Sequence, residues 1–386
     1  MTIDIIYPAL PPTLNGIADH TFFLSQALAQ RGCDVRILTA QSTWAPIPDV
    51  DVTQCFSVSP PHRIREVVAP VADRAPDWVL LQFEQFSYGH WGFNPFLPAA
   101  LRRLKKQCPN TRLGWIVHED FASMSDWRSA IWSTWQRAQF WALGQVMDAM
   151  FCCIEPWATT YRTWFPHLSV HHIPVGSNIP HAGLAPELAR QALGFSTEDL
   201  VVGVFGGAHP SRLLSFVRDA LHTLTDAALP WTFLYIGADG AKVRRQLPGV
   251  EIVDTGALPA PDVSHRLSAV DVYLAPFANG VSTRRGSFLA GLQHGLPTVS
   301  THGPRTDTLL LDEAGHAFEL VPCNDPSTFA RAALALAQSP ARRDALGRTA
   351  QTFFDDTFSW ARIADQLLHA LGAPSTPASA KSTLQL

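Results

Sequence analysis

The chain has 386 residues, of which 47% are hydrophobic and 16% charged, with a formal net charge of −4. That length exceeds one ordinary core and suits two domains of about 180 residues each, while the charge balance supplies no basic field for nucleic acid. The cysteines Cys33, Cys55, Cys108, Cys152, Cys153 and Cys323 show no CxxC spacing, so buried free thiols are expected rather than a zinc knuckle, and no metal is expected.

The chain opens on a strand pattern, TIDIIYP, with no basic leader before an apolar stretch, and no apolar run approaches a membrane span; a cytoplasmic protein is the expectation. The stretches IDIIYPA, VRILTA, WVLLQF, RLGWIVHED and AMFCCIE are short apolar runs, alternating with amphipathic segments such as HTFFLSQALAQRG. Continuous apolar strands separated by helices predict a parallel doubly wound sheet with its working loops at the strands' carboxyl ends. After the first strand, Gly16 lets backbone approach a ligand, and Asp19 or His20 falls near a helix start; a plain helix cap is the alternative. Glu84 follows WVLLQF, and His118, with Glu119 and Asp120 behind it, ends LGWIV. A near-neutral titrating group at a strand end suits proton transfer or hydrogen bonding to a ligand, and a structural histidine is the other reading.

The segment SDWRSAIWSTWQRAQFWALGQVMDAM places Trp127, Trp132, Trp135 and Trp141 on a predicted helix. With only two arginines and no lysine it reads as a helix packed beside a cleft, and weak peripheral membrane contact through 126–150, at the inner face, is the second reading. Around HHIPVGSNIPHAG the alternation pauses, which marks the interdomain linker. It restarts with LVVGVFGG, WTFLYIGADG, VEIVDTG, DVYLAPF and PTVSTHG, a second parallel sheet. GVFGGAHPSR runs from a strand into a glycine turn: Gly206 and Gly207 permit close approach, and His209 and Arg212 add donors near the next helix start. NGVSTRRGS repeats the arrangement with Ser282, Thr283, Arg284, Arg285, Gly286 and Ser287. Two such turns predict a bound nucleotide-type anion; a tight turn and a solvated loop are the plain alternatives. The tail after Gly372, APSTPASAKSTLQL, has few apolar residues and is expected to stay flexible.

In their order and spacing, YPALPPTLNGIADHTFFLSQALAQRGCDVRILTA, VHED, IPVGSNIP, GLQHGLPTVST and the closing FSWARIADQLLHAL resemble the GT-B glycosyltransferases of the retaining family 4 type. The resemblance implies two Rossmann-like domains facing a central cleft. The bounds are 1–173 for an acceptor-side domain and 174–355 for a nucleotide-sugar domain, with 356–372 as a helix crossing back and 373–386 as the tail. It further implies a UDP, GDP or ADP sugar as co-substrate with no cofactor or metal, and a saccharide, lipid-linked or small-molecule acceptor. On this likeness His118 orients the transferred sugar, and Gly16, Asp19, His20, Glu84 and Glu119 line the first domain's side. The base lies near Thr255, Gly256 and Leu258.

The family's usual arginine is replaced by Gly207, its lysine by Arg212, and its two glutamates by Ser282 and Ala290. Arg284 or Arg285, with the Thr283 and Ser287 hydroxyls, is expected to take over the diphosphate. A catalytically silent sugar-nucleotide binder and an epimerase or hydrolase on the same scaffold stay open. A dehydrogenase is disfavoured because neither turn spells GxGxxG.

Overall fold

A computed structural model describes residues 1–373 apart from Ser123, Ser125, Asp126 and Thr197, with Arg128 and Ser129 described by backbone alone. The tail from 374 onward, for which flexibility was expected, lies outside the described residues. Contacts divide the chain into two units: residues 1–151, 167–173 and the segment from Trp360 form the first, and residues 152–166 and 174–359 the second.

The first unit is built on a seven-stranded sheet, β1 (Thr2–Ile6), β2 (Asp34–Thr39), β3 (Val50–Gln54), β4 (Trp78–Phe83), β5 (Arg112–Val117), β6 (Ala149–Cys152) and β7 (Ser169–His172), in the order β3-β2-β1-β4-β5-β6-β7. All six residues of β4 are buried, as a strand covered on both faces requires. The second unit has six strands, β8 (Leu200–Phe205), β9 (Trp231–Ile236), β10 (Ile252–Asp254), β11 (Val272–Ala275), β12 (Thr298–His302) and β13 (Glu319–Pro322), in the order β10-β9-β8-β11-β12-β13. The architecture is therefore α/β with two doubly wound parallel sheets. In each sheet the strand order reverses at one place, between β1 and β4 and between β8 and β11, and crevices at such reversals are where ligands bind.

Two segments sit in a different unit from the one their sequence position suggests. Residues 152–166, assigned by sequence to the first domain, fall in the second unit, where hydrogen bonds tie them. The Glu155 amide donates to Asp307 Oδ1 (2.6 Å), the Thr308 amide to Glu155 Oε2 (2.7 Å), and Thr283 Oγ1 to the Cys153 carbonyl (2.7 Å). The closing helix Trp360–Ala370 packs on helix Gly16–Ala29, with Trp360 stacked on Phe23 at 5.6 Å and Arg31 paired with Asp365 at 2.7 Å.

Within the first sheet, Asp4 on β1 faces Arg36 on β2 in register. Its side chain is fully buried and bonds Arg36 Nη2 and Arg74 Nη1, each at 2.6 Å. Removing one member of a buried charge cluster leaves the others uncompensated. Asp4→Ala is expected to cost about 3 kcal/mol in urea denaturation; a change within error would show the cluster to be energetically neutral.

Candidate functional site

In the second unit β8 ends at Phe205 and the chain turns through Gly206, whose φ of +102° favours glycine. A Cβ there would press on Arg212 Nη2 at 3.2 Å and Ser287 Cβ at 3.3 Å, so glycine is required for space as well. Arg212 folds back into this turn. Its Nη2 donates to the Phe205 carbonyl (2.8 Å) and Ser287 Oγ (3.1 Å), and its Nε to the Gly207 carbonyl (3.3 Å). The residue is 7% exposed, no carboxylate pairs with it among the described residues, and its buried Nη1 has no protein partner. Burial lowers its pKa from the usual arginine value, with Tyr273 and Tyr235 opposing that shift.

An aromatic face stands where a counter-ion would. Arg212 lies 5.1 Å from the Phe277 ring centre, and Arg285 4.7 Å from the same ring. Arg285 precedes helix Gly286–Gln293, and no Cβ at Gly286 would meet another atom within 4 Å. Two guanidinium groups, the Ser287 hydroxyl and a helix start therefore converge beside the β8–β11 reversal. Tyr273 braces them: its hydroxyl donates to the Ser287 carbonyl (2.8 Å), and burial pushes its pKa up to about 12.

Other expected donor residues are placed differently. Thr283 and Ser282 are buried. Thr283 gives its amide to Asp307 Oδ2 (2.7 Å) and its hydroxyl to the Cys153 carbonyl, so it fixes the loop and does not offer that hydroxyl to a phosphate. Arg284 lies over Trp157 at 5.0 Å, away from Phe277. In the glycine turn the Gly206 amide is spent on the Ile236 carbonyl and the Ala208 amide on Asp239 Oδ2, leaving Gly207 at the exposed apex. His209 is exposed and accepts the Ser211 amide at Nδ1 (3.2 Å). Thr255 and Gly256 follow β10, bridged to Gly237 after β9, with Leu258 half-buried beyond them. Ala290, at the second glutamate position, is buried inside its helix.

In the first unit Asn15, rather than Asp19 or His20, caps the helix: Gly16 is its first residue, and Asn15 Oδ1 accepts the Ile17 and Ala18 amides at 2.8 and 3.0 Å. Asp19 stands in the first turn with its pKa raised to about 6 by burial. His20, expected to face an acceptor, is buried against Trp360 (5.1 Å between rings), and burial lowers its pKa to about 3. Gln82, the one polar residue of β4 and missed by sequence reasoning, joins the two histidines. Its Oε1 accepts from His118 Nε2 (2.6 Å), its Nε2 donates to His20 Nδ1 (3.2 Å), and the imidazole rings are 4.5 Å apart. A glutamine oxygen can only accept, so the proton of His118 sits on Nε2. Glu84 is raised by burial and accepts from Ser87 Oγ (2.9 Å), whereas Glu119 accepts from Gln85 Nε2 (3.3 Å). The only polar interruption of an apolar strand was the signal that could have found Gln82.

No group of three or more His, Cys, Asp or Glu among the described residues is arranged to hold a metal ion. A cavity of about 540 Å³ in the second unit opens at the strands' amino ends near Asp271, His294 and Arg343, and Arg212 does not line it. Its charges are already answered: Arg190 pairs with Asp271, and Arg343 Nη1 donates to the Leu336 and Ala337 carbonyls. The Arg212 site is the better candidate on chemistry.

Residues 199–339 match the family model described as "Glycosyl transferases group 1", a match that falls within the second unit. No curated protein matches the chain in sequence. Among solved structures, sucrose-phosphate synthase (tll1590) from Thermosynechococcus elongatus aligns with a TM-score of 0.72 at 16% identity, over 96% of this chain and 98% of that one. WaaG, a glycosyltransferase involved in lipopolysaccharide biosynthesis, aligns at 0.65 and 16% identity over 95% and 99%. Anabaena Alr3699/HepE in complex with UDP-glucose aligns at 0.64 and 16% identity over 96% and 99%. The fold is thus the GT-B type of glycosyltransferase.

The depressed pKa of His20 makes stability depend on pH. Folded His20 takes its proton near 3 and the unfolded side chain near 6.5, so the unfolded state binds more protons in that window. Stability falls as pH drops from 6.5 toward 3; His294, lowered to about 4, adds the same sign, and Asp19, raised to about 6, opposes it above 3.8. His20→Gln should flatten the acid limb of urea midpoints between pH 6.5 and 4. An unaltered limb would mean that His20 is not held neutral.

Proposed function

We propose that the chain is a glycosyltransferase that moves a sugar from a nucleoside diphosphate to a hydroxyl-bearing acceptor, with retention of anomeric configuration and without a metal. The observation that carries this reading is Arg212, a buried cation with no carboxylate, whose Nη1 lacks a protein partner beside Ser287 and Gly206. Such a group is poised for an anion. The family match over 199–339 and the neighbour crystallised with UDP-glucose support a sugar nucleotide as that anion.

The reaction breaks the bond between the anomeric carbon and the phosphate oxygen and forms one to the acceptor oxygen. The acceptor's proton passes to the departing phosphate. Negative charge grows on the diphosphate, and donors fixed beforehand lower that barrier most. Arg212 and Arg285 supply the charge, with the Ser287 hydroxyl and the amides of Gly207 and Gly286. Arg285 is favoured over Arg284 because it shares the Phe277 ring with Arg212. From the first unit, the family resemblance assigns His118 to the sugar, with its Nε2 proton committed to Gln82, and Asp19, Glu84 and Glu119 to acceptor hydroxyls. Gly16 belongs to the same face, whereas buried His20 acts through Gln82.

Thermal-shift titration with UDP, GDP and ADP tests the site. At about 1,000 times its dissociation constant a nucleotide adds about 4 kcal/mol. One base should produce that shift. Arg212→Ala and Arg285→Ala should abolish it, and Arg284→Ala should retain most of it. If no nucleotide shifts the wild-type protein, the transferase reading fails; binding without sugar release to any acceptor would favour the silent binder.

A further inference from the structure

Helix Trp127–Gly144 buries Phe140 and Leu143 in the core and, beside them, a set of polar side chains. Ser133, Gln136 and Gln139 are buried and bond the neighbouring loops. Ser133 Oγ donates to the Ala122 carbonyl (2.6 Å), and Gln136 Oε1 accepts the Ala122 amide (2.8 Å). Gln139 Oε1 accepts the Asn94 amide (2.8 Å) while its Nε2 donates to the Gly92 carbonyl (3.1 Å). The exposed positions recur every three or four residues: Trp127, Ile131, Thr134, Ala138 and Trp141. That is one face of a helix, and it carries no charge.

Trp127 is 70% exposed, Trp141 57% and Ile131 51%. Phe86, Trp91, Phe93 and Met124 are exposed nearby in sequence, and the 90–93 loop is tied to the helix: Trp91 stacks on Trp132 at 4.2 Å, and Trp135 Nε1 donates to the Trp91 carbonyl (3.1 Å). A side-chain arrangement of this kind leaves a large apolar surface to water and calls for a partner. The helix was expected beside a cleft; Trp127 and Trp141 instead stand on its solvent face.

We propose that this face docks on a lipid bilayer bearing anionic headgroups. Two features select that occupant. Tryptophan pairs an apolar ring with one N–H donor and settles at the boundary between headgroups and acyl chains; the stripe from Trp127 to Trp141 would lie along that boundary for about 21 Å at the helical rise of 1.5 Å per residue. The adjoining sequence is also positive in a chain whose net charge is −4. Residues 85–118 contain Arg102, Arg103, Lys105, Lys106 and Arg112 and no Asp or Glu. Four of these lie on helix Phe96–Gln107, which packs against helix Trp127–Gly144 and leaves Arg102, Arg103 and Lys106 exposed. No helix among the described residues is long and apolar enough to cross a membrane, so the contact is one of surface docking. The inference stands independently of the transferase reading.

Cosedimentation of the whole chain with vesicles of phosphatidylcholine alone, and of phosphatidylcholine mixed with phosphatidylglycerol, tests it. The mixed vesicles should bind at least about ten-fold more protein, and added salt should reduce the difference. The triple variant Trp127→Ser, Ile131→Ser, Trp141→Ser should lose the binding while keeping the wild-type circular dichroism and thermal midpoint, since it alters only exposed positions. Failure to bind either vesicle, or binding indifferent to lipid charge or to the triple variant, would overturn the proposal. So would a dimer in light scattering that the triple variant dissolves, which would give the stripe to a second copy of the chain.

Discussion

The second unit depends on one buried cation. Arg212 is taken out of water without a carboxylate, held by the carbonyls of Phe205 and Gly207, the Ser287 hydroxyl and the face of Phe277. Desolvating a guanidinium is costly unless other groups answer its charge. The same residue stitches two strand exits together, through the Arg212–Phe277 bridge, the Leu213 amide on the Pro276 carbonyl and the Ala278 amide on the Ser211 carbonyl. Position and charge are therefore fixed by one set of bonds. A site with its dipoles already aimed has little reorganisation left when charge develops.

The first unit handles charge in the opposite way. At its sheet reversal the groups after β1, β4 and β5 are acids and imidazoles. Burial raises Asp19 to about 6 and pushes Glu84 up, and it keeps His20 neutral down to about 3. Tyr7, pushed up to about 12, donates to Asn15 Oδ1 (3.1 Å), the same oxygen that caps the helix. Such groups suit hydroxyls, which both donate and accept, better than phosphates. The two units thus differ in the sign of their loops, and the outer face of helix Trp127–Gly144, with Trp127, Ile131 and Trp141 exposed, is a third environment.

Most of the scaffold was legible because parallel strands buried on both faces leave continuous apolar runs, and every run singled out in sequence became a strand. The glycine turn was legible too, since Gly206 needs both its φ and its lack of a side chain. What escaped was decided by residues distant in sequence. The Thr283 hydroxyl looked available for phosphate, but it donates to the carbonyl of Cys153, 130 residues earlier. His20 looked like a helix-start residue, but Trp360 covers it. Helix Trp127–Gly144 escaped for another reason: its composition did not show which side would be covered, and the loops at 92–94 and 122 are what hold Gln136 and Gln139 buried alongside Phe140 and Leu143.

Gly207 and the loop after β11 present different charge to the same sheet reversal. A Cβ at this position would come within 3.3 Å of Asp239 Oδ2, and that carboxylate already takes the Ala208 amide (2.8 Å). An arginine here would be drawn to Asp239 and would pair with it. With glycine in its place Asp239 bonds only backbone at this turn, and the exposed Gly207 amide is left as a neutral donor. Positive charge is found instead across the reversal, where Arg285 shares Phe277 with Arg212 and helix Gly286–Gln293 begins. The positive charge beside the β8–β11 reversal is therefore concentrated near Ser287, with the β8 turn contributing backbone rather than a charged side chain at Gly207.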